Sequence, residues 1–293
     1  MSPDLPAAGP LDLVLLGNGT RPEIAAEAER LAAAIAAVPG LRCAEVDLSA
    51  DSDLSELEAD IALVIGGDGS VLHTARRMGD HPTPVLGVNL GRLGFLADLT
   101  PPVFGDLLAD LARRRYAVDN LMTLAGTLVP RRGTPRTFRG LNDVVLRAAP
   151  PFHLLEVGLS IDGESVIAYR GDGLIVATPV GSTAHSLSAG GPILPPDAHM
   201  FVITPICAHT LTQRPLVDGA HKIYELSPHV APGVSAYVVI DGQVQIPLDP
   251  GDRVIVRRGG TPFPMVRLAG HSFYRTLRDK LGWGIAPTST RCP

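Results

Sequence analysis

The sequence predicts an α/β fold in two parts: an N-terminal α/β domain, then a β-rich domain. Three observations predict it. Over the first third of the 293 residues, nearly all-apolar runs of strand length alternate with helical patterns. That alternation marks a parallel sheet covered on both faces. From about Asp119 the helical patterns give way to short strands, punctuated by Asp162-Gly163, Asp241-Gly242 and Pro250-Gly251 turns. Finally, 31 glycines, 27 prolines and only 19% charged residues exclude a long coiled coil or a helical repeat.

Each element has its own signal. Leu11–Leu16 is a continuous apolar run and reads as a buried strand. A helix is expected over 22–37, with Pro22 in its first turn and Glu23 at the positive end of its dipole. Residues 41–46 give a second strand and 60–65 a stronger, β-branched one, which runs into Gly66-Gly67-Asp68-Gly69-Ser70. A helix over 71–78, a strand over 84–89 and an amphipathic helix over 103–116 complete the first domain. In the second, strands are expected over 121–129, 141–148, 154–161, 164–170, 174–178, 237–240, 244–247 and 253–258, with a short helix over 182–188. The tail over 272–281 is amphipathic through Phe273, Leu277 and Leu281 and must pack somewhere. The expected boundaries are 1–118, 119–268 and a returning tail 269–293.

Composition narrows the function. The net charge is −5, and no basic cluster exceeds Arg113–Arg115, which argues against a nucleic-acid partner. No apolar run is long enough to span a membrane, and no leader pattern opens the chain, so a soluble cytoplasmic protein is expected. Cys43, Cys207 and Cys292 are odd in number and widely spaced, and His185 and His209 have no partner at ligand-like spacing. No protein-built metal site is expected from them. Only two of the 25 Lys and Arg residues are lysines, Lys222 and Lys280.

The sharpest local signal is the 66–70 turn. Its glycines permit a tight turn and close approach to a ligand, and the helix that follows offers free N–H groups to an anion. An acidic residue inside such a loop would repel phosphate unless it also met a metal ion or a hydroxyl. Phosphoryl transfer to an alcohol needs a cradle, a cation and a carboxylate beside the nucleophile. The plainer reading is a strand-to-helix turn capped by Asp68. The segment is neither a Walker A loop nor a Gly-x-Gly-x-x-Gly fingerprint, which disfavours an ordinary dehydrogenase.

A second glycine turn, 89–96, follows the next strand and carries Phe95, either a core residue or a support for a nucleobase. Asn142 and Asp143 stand at the start of an apolar strand, where they either read nucleobase or ribose edges or cap a turn. The stretch 169–192 holds Arg170, Asp172 and the run Gly181-Ser182-Thr183-Ala184-His185 with Ser186 and Ser188. That density of hydroxyls exceeds what one helix cap needs. No Gly-x-Ser-x-Gly elbow is present, so a hydrolase is disfavoured.

Together the blocks 66–70, 89–98, 141–146, 172–194, 205–216, 241–243 and 273–284 resemble the NAD kinase family, in consistent order over residues 11–284. The Gly-Gly-Asp-Gly turn alone would also suit diacylglycerol or sphingosine kinases. The 178–191 stretch and Pro205-Ile206-Cys207-Ala208-His209-Thr210-Leu211 are more specific. The resemblance implies a Rossmann-like α/β domain, a β-sandwich-like domain and a returning tail, with the active site between the domains. It implies transfer of a phosphoryl group from ATP or polyphosphate, with Mg2+ or another divalent cation, to the adenosine 2′-hydroxyl of NAD. Homodimers or homotetramers are implied as well. Asp68 would be the catalytic carboxylate, and Gly66, Gly67, Gly69 and Ser70 would shape the phosphate region. Phe95 would lie on the adenine side. Asn142, Asp143, Thr183, Ala184, His185 and Ser188 would hold the nucleotide, while Arg170 and Asp172 would contact it, across a subunit boundary in one arrangement. His209 and Gln243 would be structural. Ser70 stands where the family usually has Thr, and His185 where it often has Tyr. A lipid or sphingoid-base kinase and a non-catalytic nucleotide sensor are the rival readings.

Overall fold

The computed structural model describes residues 9–91, 94–150, 154–230, 234–268, 270 and 272–282. Arg92, Leu93, Trp283, Gly284 and Cys292, all within stretches named above, lie outside the described residues. The chain divides into two compact units. One holds the residues up to Asp119 and those from Pro264 onward, and the other is Asn120–Phe263.

In the first unit, β1 (Leu11–Leu16), β2 (Leu41–Asp47), β3 (Ile61–Ile65) and β4 (Val85–Val88) pair in parallel in the order β2-β1-β3-β4. All five residues of β3 are buried, which is why its sequence is uninterrupted Ile-Ala-Leu-Val-Ile. Helix α1 (Pro22–Ala36) starts at a proline and buries Ile24, Ala28, Leu31 and Ile35 along one face. Helix α2 (Asp68–Met78) begins at Asp68 itself rather than near Val71. Helix α3 (Pro101–Ala112) ends sooner than the sequence suggested, because Arg114 takes a left-handed conformation, and Tyr116 instead opens β5 (Tyr116–Leu121). From β1 the chain moves outward to β2, then back past β1 to β3. The crossover direction therefore reverses between β1 and β3. Open α/β sheets bind ligands outside the carboxyl ends of strands at such a switch point. The 66–70 turn follows β3 at that point.

Among its described residues the second unit holds two six-stranded antiparallel sheets. Its strands are β6 (Leu124–Val129), β7 (Arg136–Gly140), β8 (Asp143–Ala148), β9 (Leu155–Ile161), β10 (Glu164–Gly171), β11 (Gly173–Ala177), β12 (Met200–Ile206), β13 (Leu216–Gly219), β14 (Tyr224–His229), β15 (Ala236–Ile240), β16 (Val244–Leu248) and β17 (Arg253–Arg258). The orders are β10-β9-β14-β17-β6-β7 and β13-β12-β11-β8-β15-β16. Strands β7, β12, β13 and β14 went unpredicted. Pro205 inside β12 and Pro228 inside β14 interrupt patterns that would otherwise read as strands. Alternation sets the core: Val144, Leu146, Leu174 and Val176 face the other sheet's Leu155, Val157, Leu226 and Val254. Val145, Ile175, Ala177, Val202 and Val239 form a smaller cluster on the opposite face.

The chain then returns to the first unit. The strand Phe263–Leu268, unpredicted, pairs parallel to β4 with Met265 opposite Val85. The return thus starts at Pro264, ahead of the boundary expected at 269. Helix α4 (His185–Ser188) follows a 3-10 turn at Gly181–Thr183, so the short helix expected over 182–188 is two pieces. Helix α5 (Phe273–Leu281) is capped by the Ser272 side chain, which accepts the Arg275 N–H, and is closed by a left-handed Gly282. Among the described residues no helix is long and apolar enough to cross a membrane.

Candidate active site

The first unit brings two turns together around Asp68. Gly66 follows β3 with φ +144°, and a Cβ there would lie 2.2 Å from the Ser70 hydroxyl, so only glycine fits. Gly67 and Gly69 differ: neither has a positive φ, and a Cβ on either would project into open space. Among the described residues, packing and backbone conformation therefore do not require glycine at either position.

Asp68 opens α2, and its carboxylate reaches across to the second turn. Oδ1 accepts the backbone N–H groups of Leu96 and Ala97, and Oδ2 accepts that of Phe95, all at 2.9 Å. Buried Asn89 folds the same turn, its Oδ1 accepting the Gly91 N–H and its Nδ2 donating to the Ala97 carbonyl. A carboxylate offers about four lone-pair sites. Three donors hold Asp68 in place and leave room for a further partner. Helix α5 packs on this turn. The rings of Phe95 and Phe273 lie 6.4 Å apart, and Lys280 places its ammonium 4.2 Å from the Phe95 ring centre and 3.9 Å from Asp68 Oδ2.

The second unit gathers three segments at one end of a sheet. Antiparallel pairing puts the start of β8 beside the ends of β11 and β15: Asp143 opposes Ala177, and Val144 opposes Ile240. The Asp241 carboxylate, just past β15, accepts the backbone N–H groups of Leu141, Asn142 and Asp143 at 2.8 to 3.0 Å. Asp241 therefore caps this turn, which frees the side chains of Asn142 and Asp143 from that task. Thr178 ties in the third segment. Its hydroxyl donates to the Leu141 carbonyl and accepts the Gly181 N–H, while its own N–H donates to the Asn142 carbonyl. Gly181 passes so close that a Cβ would lie 2.0 Å from the Asn142 carbonyl oxygen.

Asn142 and Asp143 are both buried. Among the described residues, the Asn142 Oδ1 is the buried side-chain atom without a hydrogen-bond partner. Such an acceptor is costly unless something donates to it. Burial, followed by the charge of Asp241, pushes the Asp143 carboxyl up to about 7. Of the hydroxyls that looked too many for a cap, Ser182 bonds the Pro179 carbonyl and the Leu194 N–H, Ser186 bonds Thr204, and Thr183 bonds the Val180 carbonyl. These three hold the turn together. Loss of hydration, then the charge of Arg147, lowers the His185 imidazole below its ordinary value. Thr183 and Ala184 are half-buried, and Ser188 is exposed.

Arg170 and Asp172 are not brought to this cluster. They precede β11, whereas the 178–184 segment follows it, and a strand of that length separates the two by about 20 Å. Arg170 instead donates to Glu156 at 2.5 Å, and its carbonyl accepts the His209 N–H. The charged Asp172 carboxylate pushes the Cys207 thiol up from its ordinary value. Among the described residues no three His, Cys, Asp or Glu side chains gather as a metal cage.

Sequence reasoning missed two anchors, Asp241 and Lys280. The first was visible as a turn residue and within the 241–243 block, with no role for its side chain. The second had one trace: it is one of two lysines among 25 Lys and Arg residues, and it lies on an amphipathic helix.

Two family models match the chain: the ATP-NAD kinase N-terminal domain over residues 46–116 and the ATP-NAD kinase C-terminal domain over 141–268. The chain is 43% identical over 274 residues to an NAD kinase of Rhodopirellula baltica, covering 94% of this chain and 87% of that one. It is 40% identical over 237 residues to an NAD kinase of Nitrosomonas europaea, covering 80% and 79%. Among solved structures, an Archaeoglobus fulgidus NAD kinase in complex with ATP aligns with TM-score 0.71 at 25% identity, over 92% of this chain and 98% of that one. A yeast NADH kinase complexed with NADH shares the fold, with TM-score 0.83 at 23% identity over 97% and 91%. By both family models and by these relatives, the chain belongs to the NAD kinase family.

Proposed function

We propose that Asp68 is the catalytic carboxylate of this chain and that it acts on the adenosine 2′-hydroxyl of NAD. The reaction itself is that of the family: phosphotransfer that makes NADP from NAD. The hydroxyl oxygen forms a bond to the terminal phosphorus of the donor, the bond from that phosphorus to the leaving phosphate breaks, and the hydroxyl proton passes to Asp68. One observation carries the reading. Asp68 is fixed by three backbone N–H groups at the carboxyl end of β3, next to the sheet's switch point, with room for one more partner.

Residues of each unit fit the same reading. The open space over Gly67 and Gly69 suits close approach of phosphates to the backbone. Ser70 keeps a hydroxyl at this turn. Mg2+ commonly binds through one or two carboxylates plus substrate phosphates, so a single nearby carboxylate fits it without a protein cage. When bound, the cation screens the donor phosphates. ATP is the donor supported by the Archaeoglobus complex, with polyphosphate as the other candidate. Asn142 offers an unpaired acceptor and Asp143 a readily protonated carboxyl to the nucleotide, alongside Thr183, Ala184, His185 and Ser188. Phe95 supports the adenine side. Arg170 and Asp172, remote from Asn142, would serve a nucleotide bound by a neighbouring copy in a homodimer or homotetramer. The net charge of −5 favours small nucleotides over nucleic acid as partners.

The test is NADP formation by the purified chain over ATP, other nucleoside triphosphates and polyphosphate, with NAD and NADH, beside Asp68→Asn. The variant is expected to lose about 10²- to 10⁴-fold in kcat while still binding NAD. Turnover within a few-fold of the parent would overturn the role of Asp68.

A further inference from the structure

We propose that Lys280, on the returning helix α5, is a positioning residue of the phosphoryl-transfer centre, acting through Asp68 and the Phe95 turn. The inference rests on Asp68 being the catalytic carboxylate. Three facts carry it. The ammonium sits 3.9 Å from Asp68 Oδ2, the oxygen that also accepts the Phe95 N–H. The same ammonium lies over the Phe95 ring at 4.2 Å, so one cation touches both the carboxylate and the turn that holds it. Finally, the contact comes from a helix fixed in place by its own cap and by Phe273 against Phe95, and that helix lies more than 200 residues after Asp68.

The geometry separates two roles. As a structural tie this pair is weak, since the Lys280 and Asp68 side chains retain 26% and 31% of their exposure. A tie so open to water contributes little to folding. Its effect on chemistry is larger in principle. The backbone donors fix the carboxylate from the side of the 95–97 turn, and the ammonium draws Oδ2 toward α5. Between them they set the direction in which the remaining lone pair faces the acceptor hydroxyl. The ammonium is also a positive charge beside a centre where anionic phosphate oxygens must gather. An Arg could supply the charge but not the compact point contact, and in a chain so rich in arginine a lysine stands here.

The test uses the full chain with NAD and the donor that supports the parent reaction, comparing Lys280→Met, Lys280→Arg and Lys280→Ala. Met keeps the apolar stem over Phe95 and removes only the charge. The proposal expects K280M to lose at least tenfold in kcat with the KM for NAD within about twofold, and K280R to retain more activity than K280M. It also expects added methylammonium to restore part of the K280A activity. Parental kcat in K280M overturns it. So does retained activity in K280M with loss in K280A, which would assign Lys280 to packing alone, or a raised KM for NAD at unchanged kcat. Should K280A fail to fold, K280M and K280R still decide. A parent chain that makes no NADP with any donor fails the functional reading instead, a result distinct from all of these.

Discussion

Gly94 leaves the space that the Asp68 carboxylate occupies: a Cβ at position 94 would lie 1.9 Å from Asp68 Oδ1 and 2.9 Å from the Ala97 carbonyl oxygen. The absence of one side chain therefore permits the contact between Asp68 and the 95–97 turn. Gly94→Ala must expel the carboxylate or distort the 94–97 turn. It is expected to cost about 1–3 kcal/mol of stability, as overpacking does, and to lower kcat at least as much as loss of an orienting residue. Gly91→Ala is the control, because its nearest neighbour would be Asn89 Oδ1 at an ordinary 3.8 Å. Urea midpoints and NADP formation for the two variants decide it; equal activity in both would sink the steric argument.

Gly69 gives the opposite sign for stability. It stands exposed in the first turn of α2 with open space where a Cβ would go. Alanine is favoured over glycine in a helix by roughly 0.5–1 kcal/mol. Gly69→Ala is therefore expected to leave the melting temperature unchanged or raised while it increases the KM for the phosphoryl donor. A stabilised variant with parental donor kinetics would show that phosphates do not approach this turn.

Asp143 makes stability depend on pH. Its carboxyl is pushed up to about 7, by burial first and by the charge of Asp241 second, from about 3.9 in the unfolded chain. The stability of the protonated form is fully present below about pH 4. It falls as pH rises, because the unfolded chain ionises first, and the loss is complete above about 7. The size is on the order of a few kcal/mol. Asp143→Asn should shrink the drop in urea midpoint between pH 5 and pH 8. A drop identical to the parent's would place the pH dependence elsewhere.

Asn142 separates binding from folding. Its buried Oδ1 lacks a donor among the described residues, so the near-isosteric Asn142→Leu removes an unsatisfied acceptor at little or no cost to stability. If NAD supplies the missing donor, the KM for NAD rises by about tenfold or more. Calorimetric titration with NAD alongside a thermal melt checks both; unchanged affinity would exclude Asn142 from the nucleotide site.

Much of this protein is legible in local pattern. The apolar run of β3, the proline and acidic residue that open α1, and the glycines around Asp68 are each governed by neighbours a few residues away. Fold class and the family's sequence blocks followed from them. What the pattern left open is which remote groups meet. Asp68 is held by N–H groups 27 to 29 residues later, and the 141–143 turn by a carboxylate 98 to 100 residues later. The partnership of Lys280 with Asp68 spans most of the chain. Strand order and register create those meetings, and hydrogen bonds between distant segments impose no periodicity on either one. The sequence could therefore nominate Asp68 and Asn142, while only the packed fold showed that one carboxylate is anchored and that one buried oxygen has no donor among the described residues.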